Sequence, residues 1–119
     1  MRRVLVIEDD AWQAEMTARQ LARHDFQVEI AHDALAAFTM IDAHPPDAII
    51  LDMMLPGPNG MTFLHELRSH ADIADIPVVV CSTQKLELKI LQPYGVAAVI
   101  DKTTMEPDDV VVAVRKVLT

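Results

Sequence analysis

Four polar stops close apolar runs in this chain: Glu8-Asp9 after residues 4–7, Asp52 after 48–51, Ser82 after 78–81 and Lys102 after 96–100. Gathered together, they would make an oxygen-rich site with one ammonium. Two like charges ~4 Å apart repel by about 4 kcal/mol even at an effective dielectric of about 20, so three adjacent carboxylates demand a cation. Lys102 supplies one positive charge and leaves the site about two units negative. Hard oxygen donors favour Mg²⁺, which takes one or two carboxylates and completes its shell with water and phosphate oxygens. The chemistry that fits is metal-assisted phosphoryl transfer, with a carboxylate as nucleophile and a lysine and a hydroxyl against the phosphoryl oxygens. Asp52 is the candidate nucleophile, with Asp9 on one side and Ser82 and Lys102 on the other. Phosphorylation there would create a group of about -1.5 to -2 charge with three acceptor oxygens, enough to draw a hydroxyl and an ammonium toward it. Such a group is a switch.

The elements that must position these residues alternate along the chain. Residues 4–7 form a solid apolar run, as expected of a central parallel strand covered on both faces. A helix over 11–24 follows, capped by an Asp, with Ala14, Ala18, Leu21 and Ala22 on one face. Residues 26–30 alternate apolar and polar, which predicts a half-exposed strand at or near a sheet edge. Asp33 caps a second helix carrying Leu35, Phe38 and Ile41 inward, which ends before Pro45-Pro46. A third strand over 48–51 leads to the turn-rich segment 56–60, where Asn59 caps a third helix with Met61, Phe63, Leu64 and Leu67 inward. A fourth strand, a short helix over 84–92 cut off by Pro93, and a fifth strand follow. Pro107 is placed to open a last helix with Val110, Val111, Val114, Val117 and Leu118 inward. Five βα units predict an open parallel sheet, whose ligands bind beyond the carboxyl ends of the strands.

Composition narrows the function. A length of 119 residues suits one domain over residues 1–119, and 51% hydrophobic residues exclude a disordered chain. A net charge of -8 repels a phosphate backbone, so direct nucleic-acid binding is not expected. The single cysteine, Cys81, can form neither an internal disulfide nor a cysteine-based zinc site, which fits a reducing compartment. No apolar run approaches the ~20 residues of a membrane span, and Glu8 comes too early for a signal peptide. A cytoplasmic protein is expected.

The ordered set of motifs resembles the receiver domains of bacterial two-component response regulators over essentially the whole chain. Val4-Leu5-Val6-Ile7-Glu8-Asp9-Asp10 looks like the opening strand and acidic pair of that family. The segment from Asp52 through Met53, Met54, Leu55, Pro56 and Gly57, with Asn59-Gly60, matches its phospho-acceptor region. Pro77-Val78-Val79-Val80-Cys81-Ser82 matches its fourth strand and hydroxyl, and Lys102 its lysine. The resemblance implies a doubly wound, flavodoxin-like (βα)5 fold, with the strand order 2-1-3-4-5 common in that class. It implies that Asp52 accepts a phosphoryl group from a sensor histidine kinase or histidine phosphotransfer protein. It further implies that Asp9, Asp52 and the Met54 backbone carbonyl hold Mg²⁺, that Glu8 acts through a bound water, and that Ser82 and Lys102 contact the phosphoryl group. With nothing following Thr119, a single-domain regulator acting on a downstream protein by contact is expected. Any loss of the phosphate by hydrolysis would belong to the switch rather than make the chain an enzyme.

Three positions depart from the family pattern. Thr103 follows the lysine where proline is usual, so the loop after the fifth strand should differ. Val99 stands where an aromatic often lies, which removes an aromatic swing as the readout. The interval from Ser82 to Lys102 is short, so the surface of the fourth helix, fifth strand and fifth helix should be reshaped. Thr83 replaces a smaller residue and is expected to narrow access to Asp52. Met54 and Gln84 occupy positions that tune phosphate loss in the family, and here line the rim. Outside the motifs, Trp12 is expected to pack partly buried, the five histidines to lie at the surface or its boundary, and the methionines to fill core. Cys81 reads as a small buried hydrophobe and Asp108-Asp109 as partners of a helix dipole.

Other functions fit less well. A small aspartyl-phosphate hydrolase would usually carry an Asp two residues after its nucleophile, where Met54 stands. A flavin or nucleotide binder would need a glycine-rich phosphate loop, and the chain has only Gly57, Gly60 and Gly95. A degenerate receiver that acts without phosphorylation is compatible with Thr83, Val99 and Thr103.

Overall fold

The computed structural model describes residues 1–57 and 59–119. Pro58, part of the turn-rich segment, lies outside the described residues. Five strands, β1 (Arg3–Ile7), β2 (Gln27–Ala31), β3 (Ala48–Asp52), β4 (Val78–Ser82) and β5 (Val96–Asp101), form one parallel sheet in the order 2-1-3-4-5. The helices are α1 (Ala11–Ala22), α2 (Ala34–Ala43), α3 (Gly60–Ser69), α4 (Leu88–Leu91) and α5 (Asp109–Val117).

Side chains alternate across a strand, and this sheet uses both sides of the alternation. Val4, Val6, Ile50, Val79 and Cys81 join Leu21 of α1 and Val110, Val111 and Val114 of α5. Leu5, Ile7, Ile49, Leu51, Val78 and Val80 join Ala34, Ala37 and Ile41 of α2, Phe63, Leu64 and Leu67 of α3, and Leu91 of α4. Burial on both faces is why β1, β3 and β4 read as unbroken apolar runs, whereas β2 lies at an edge and alternates.

Three helices start as their caps dictate. Asp10, Asp33 and Asn59 accept the backbone N–H of Gln13 (3.0 Å), Ala36 (2.8 Å) and Thr62 (3.1 Å). Other expectations are corrected. In α1, Ala14 and Leu21 are buried but Ala22 is exposed. Leu35 is 74% exposed, because α2 turns its small residues Ala34 and Ala37 to the sheet, with Phe38 half-buried against Phe63. Of the methionines only Met53 is buried, while Met1, Met16 and Met54 are exposed.

The fourth helix does not span 84–92. The Ser82 hydroxyl oxygen accepts the Gln84 N–H at 3.0 Å, which bends the chain where a helix would start. Only Leu88–Leu91 is α-helical, and Pro93 sits in a 3₁₀ turn over Gln92–Tyr94 closed by Gly95 at φ 79°. At the last helix Pro107 stands two residues before the start. Asp108 forms no side-chain cap there and instead accepts from the Gln20 amide at 2.5 Å, tying α5 to α1.

Candidate functional site

The parity that sorts the core also aims the site. Glu8 and Asp52 continue the α1/α5 side of β1 and β3, two positions beyond Val6 and Ile50. Lys102 reaches the same side only because β5 carries a bulge. Val78 pairs with Val96 but Val79 with Ala98, so Ala97 is an extra residue in the strand. Val96 accordingly joins the α2/α3/α4 side, while Ala98 and Ile100 join the other. Were Ala97 instead paired in regular alternation, Lys102 would share the phase of Val96 and point away from the acids.

Three carboxylates converge at the sheet edge: Glu8, Asp9 and Asp52 offer oxygens that all lie within 4.8 Å of one another. The Lys102 ammonium forms an ion pair with Glu8 and stands 3.5 Å from Asp52 Oδ2. Asp52 Oδ1 accepts the Met54 N–H at 3.0 Å. That loop is closed by Gly60, whose N–H donates to the Met53 carbonyl at 3.2 Å and where a Cβ would come within 2.7 Å of Met53 Cα. Asp9 is exposed, and Asp52 is 5% exposed at the wall of a cleft of about 110 Å³ shared with Glu8, Lys102 and Trp12.

Burial and neighbours divide the titrations. Burial, reinforced by hydrogen bonding to Asp52, pushes the Glu8 carboxyl up to about 7 against the pull of Lys102. Burial also opposes ionisation of Asp52, but hydrogen bonds from Glu8 and the Met54 amide, together with Lys102, hold its carboxyl below the ordinary range. Lys102 loses some affinity for its proton through burial and regains more from Glu8 and Asp52, so it stays an ammonium at neutral pH. The arrangement therefore keeps one acid ionised and lets its neighbour carry a proton. All-oxygen donors with surplus negative charge suit a hard divalent ion.

Of the residues singled out in the sequence, Glu8, Asp9, Asp52 and Lys102 are brought together. Ser82 adjoins them through the backbone, its carbonyl accepting the Lys102 N–H at 2.9 Å. Its side chain is fully buried and bonded to Gln84 instead of to Asp52 or Lys102. Met54 and Gln84 line a separate groove with Asp9, and exposed Thr83 lines neither cleft. Trp12 is 71% exposed at the mouth of the Asp52 cleft, because the first turn of α1 overhangs the sheet edge there. His32 was not singled out, yet its Nδ1 lies 3.0 Å from the Glu8 carbonyl and helps hold the end of β1. Its place just past Ala31, which pairs with Ile7, was the available signal.

The response regulator receiver domain model matches residues 4–115. The chain is 38% identical over 82 residues, 69% of its own length, to the response regulator MprA of Mycobacterium avium. It spans about a third (35%) of that relative's length. A sensor protein from Polaromonas sp. JS666 shares the fold, with a TM-score of 0.89, 24% identity and coverage of 98% of this chain and 95% of that one. The response regulator Rcp1, solved in its Mn²⁺-bound form, shares it with a TM-score of 0.78 and 24% identity, covering 95% and 89% of the two chains. Among the described residues no helix is long and apolar enough to cross a membrane.

Proposed function

From the premise that this chain belongs to the family of response regulator receiver domains, we propose that it is a phospho-acceptor switch whose reacting group is Asp52. The observation that carries this reading is the meeting of Glu8, Asp9 and Asp52 at one sheet edge with the Lys102 ammonium against them. Asp9, Asp52 and the Met54 carbonyl would hold Mg²⁺, with Glu8 acting through water, and Rcp1 supplies a precedent for a divalent ion on this fold. When bound, the ion supplies positive charge where the phosphoryl oxygens gather.

The chain's own residues do the rest. Asp52, kept ionised, attacks the phosphorus of a phosphohistidine on a sensor kinase or phosphotransfer protein. A carboxylate O–P bond forms as the P–N bond breaks, and the imidazole nitrogen leaves with the bonding pair. Lys102 faces the transferred oxygens and offsets their charge. Ser82, whose oxygen now accepts from Gln84, turns its O–H toward the phosphoryl group. That gives up the Gln84 bond and frees residues 83–87 to move. Residues 1–119 act as one receiver domain, and the signal leaves by contact with a downstream protein. Direct nucleic-acid binding is disfavoured by the -8 charge, and the compartment is the cytoplasm.

Intact mass after incubation with Mg²⁺ and acetyl phosphate tests this. A phosphate-sized gain is expected in the wild type and not in Asp52→Asn. No gain in either would mean a receiver that acts without phosphorylation, and sustained consumption of excess donor would mean a hydrolase.

A further inference from the structure

Lys102 has a long, rotamer-rich side chain at the very end of an edge strand, yet its ammonium must meet two carboxylates on other strands. The backbone on its N-terminal side is held by β4, through Lys102 N–H to the Ser82 carbonyl at 2.9 Å. On its C-terminal side the sheet has ended, and the next N–H has no strand to pair with. Here Asp101 takes over. Its Oδ1 accepts both the Thr103 N–H at 2.8 Å and the Thr103 hydroxyl at 2.6 Å. Its carbonyl accepts the N–H of Thr104 at 3.2 Å and of Met105 at 3.0 Å. One residue thus closes the turn over 101–105 with two acceptor groups, and Lys102 sits within it. A proline at 103 could donate neither bond, so Asp101 and Thr103 form a matched pair.

We propose that Asp101 and Thr103 are positioning residues for the phosphoryl-transfer site: their two hydrogen bonds fix the peptide on the far side of Lys102 and so aim its ammonium at Asp52. The inference rests on the phospho-acceptor reading. Both side chains lie at the surface, outside the Asp52 cleft, so their effect runs through Lys102 and not through contact with the phosphoryl group. The Asp101 carboxyl is held below its ordinary range, first by the Thr103 hydroxyl and then by its N–H, as expected of an anion engaged by both donors. A carboxylate so close to an anion-binding site would by its field alone weaken anion binding. Its removal therefore has opposite signs under the two accounts.

The experiment compares Asp101→Ala with Asp101→Asn, which lose the same charge while only Asn keeps an acceptor at the turn. Binding of beryllofluoride at saturating Mg²⁺, and of Mg²⁺ alone, is read by Trp12 fluorescence, since Trp12 lines the Asp52 cleft. The expected result is up to about tenfold weaker beryllofluoride binding in Asp101→Ala than in Asp101→Asn, the upper end of the usual scale for losing a neutral hydrogen bond, with Mg²⁺ affinities within about twofold. Thr103→Ser should match the wild type and Thr103→Pro should follow Asp101→Ala. Equal or tighter beryllofluoride binding in Asp101→Ala overturns the positioning role. A parallel loss of Mg²⁺ and beryllofluoride affinity overturns it in favour of general damage. If Asp101→Ala does not fold, as judged by urea unfolding, Thr103→Val, which keeps the N–H but not the hydroxyl, is compared with Thr103→Ser for the same split. Failure of the wild type to bind beryllofluoride overturns the phospho-acceptor reading beneath it.

Discussion

The two halves of the sheet deliver their functional residues by different means. In β2-β1-β3 the register is unbroken, with each of residues 3–7 paired in step to 27–31 and 4–7 to 48–51. Glu8 and Asp52 then follow the same two-residue alternation that buries Val6 and Ile50. In β4-β5 the register slips once, and Lys102 depends on that slip for the side of the sheet it faces. Regular pairing is enough to aim an acid, whereas the cation that balances it needs a local irregularity.

Breaking the irregular half should have the largest effect. Inserting one alanine between Ile100 and Asp101 moves Lys102 one place along the alternation and puts it in phase with Val96, on the α2/α3/α4 side. Loss of a charged partner at the phosphoryl site should cost about 1.5–3 kcal/mol, or roughly 10–100-fold in beryllofluoride affinity. Ala97→Gly, which keeps the residue count, should stay close to the wild type. An insertion variant that binds as tightly as the wild type would mean that the side of the sheet does not decide where the Lys102 ammonium lies.

The regular half has its own signature in pH. With no divalent ion present, the Glu8 carboxyl sits at about 7 when folded against 4.5 when unfolded. Between those values the folded chain binds more protons, so stability falls as pH rises through the window, by up to ~3 kcal/mol. Asp52 has the opposite sign, since its depressed carboxyl contributes stability that is lost as pH falls below the ordinary carboxylate range. Urea unfolding in EDTA between pH 2 and 8 measures both, and Glu8→Gln should flatten the upper slope. A wild-type curve already flat from pH 5 to 7 would contradict the buried, proton-sharing acid.

Cys81 sharpens the comparison across the two halves, because it pairs with Asp52 on one side and Ile100 on the other. Burial pushes its thiol up to about 12 despite the nearby ammonium. Its alkylation at pH 8 should be slower in the native protein than in urea by about 10³-fold. Rapid native labelling would mean that β4 opens readily. The smallest effect belongs to Trp12→Phe, which should change stability by less than about 0.5 kcal/mol because the ring is 71% exposed. Urea midpoints settle that point, and a loss near that of a core aromatic would place the indole inside the fold.

Much of this molecule was readable before folding was considered, for local reasons. Apolar runs of strand length marked β1, β3, β4 and β5, and Asp10, Asp33 and Asn59 marked helix starts because a short acceptor side chain satisfies a free N–H wherever the chain turns. What went unread depended on which of several competing contacts a residue makes, with partners near or remote in the chain. Leu35 and Trp12 lie outside because neighbouring residues already fill the contact with the sheet or because the helix overhangs it. The short α4 reflects a Ser82 hydroxyl that competes for the Gln84 N–H, and Asp108 spends its carboxylate on Gln20 of another helix.

Residue type and apolar runs of strand length by themselves determined that acids would end β1 and β3 at the carboxyl edge of a parallel sheet, since both properties are local to a strand. Only the tertiary structure decided that Lys102 would join them. An extra residue in β5 is visible as such only against the strand it pairs with, and a turn held by Asp101 and Thr103 has meaning only once Glu8 and Asp52 stand across from it.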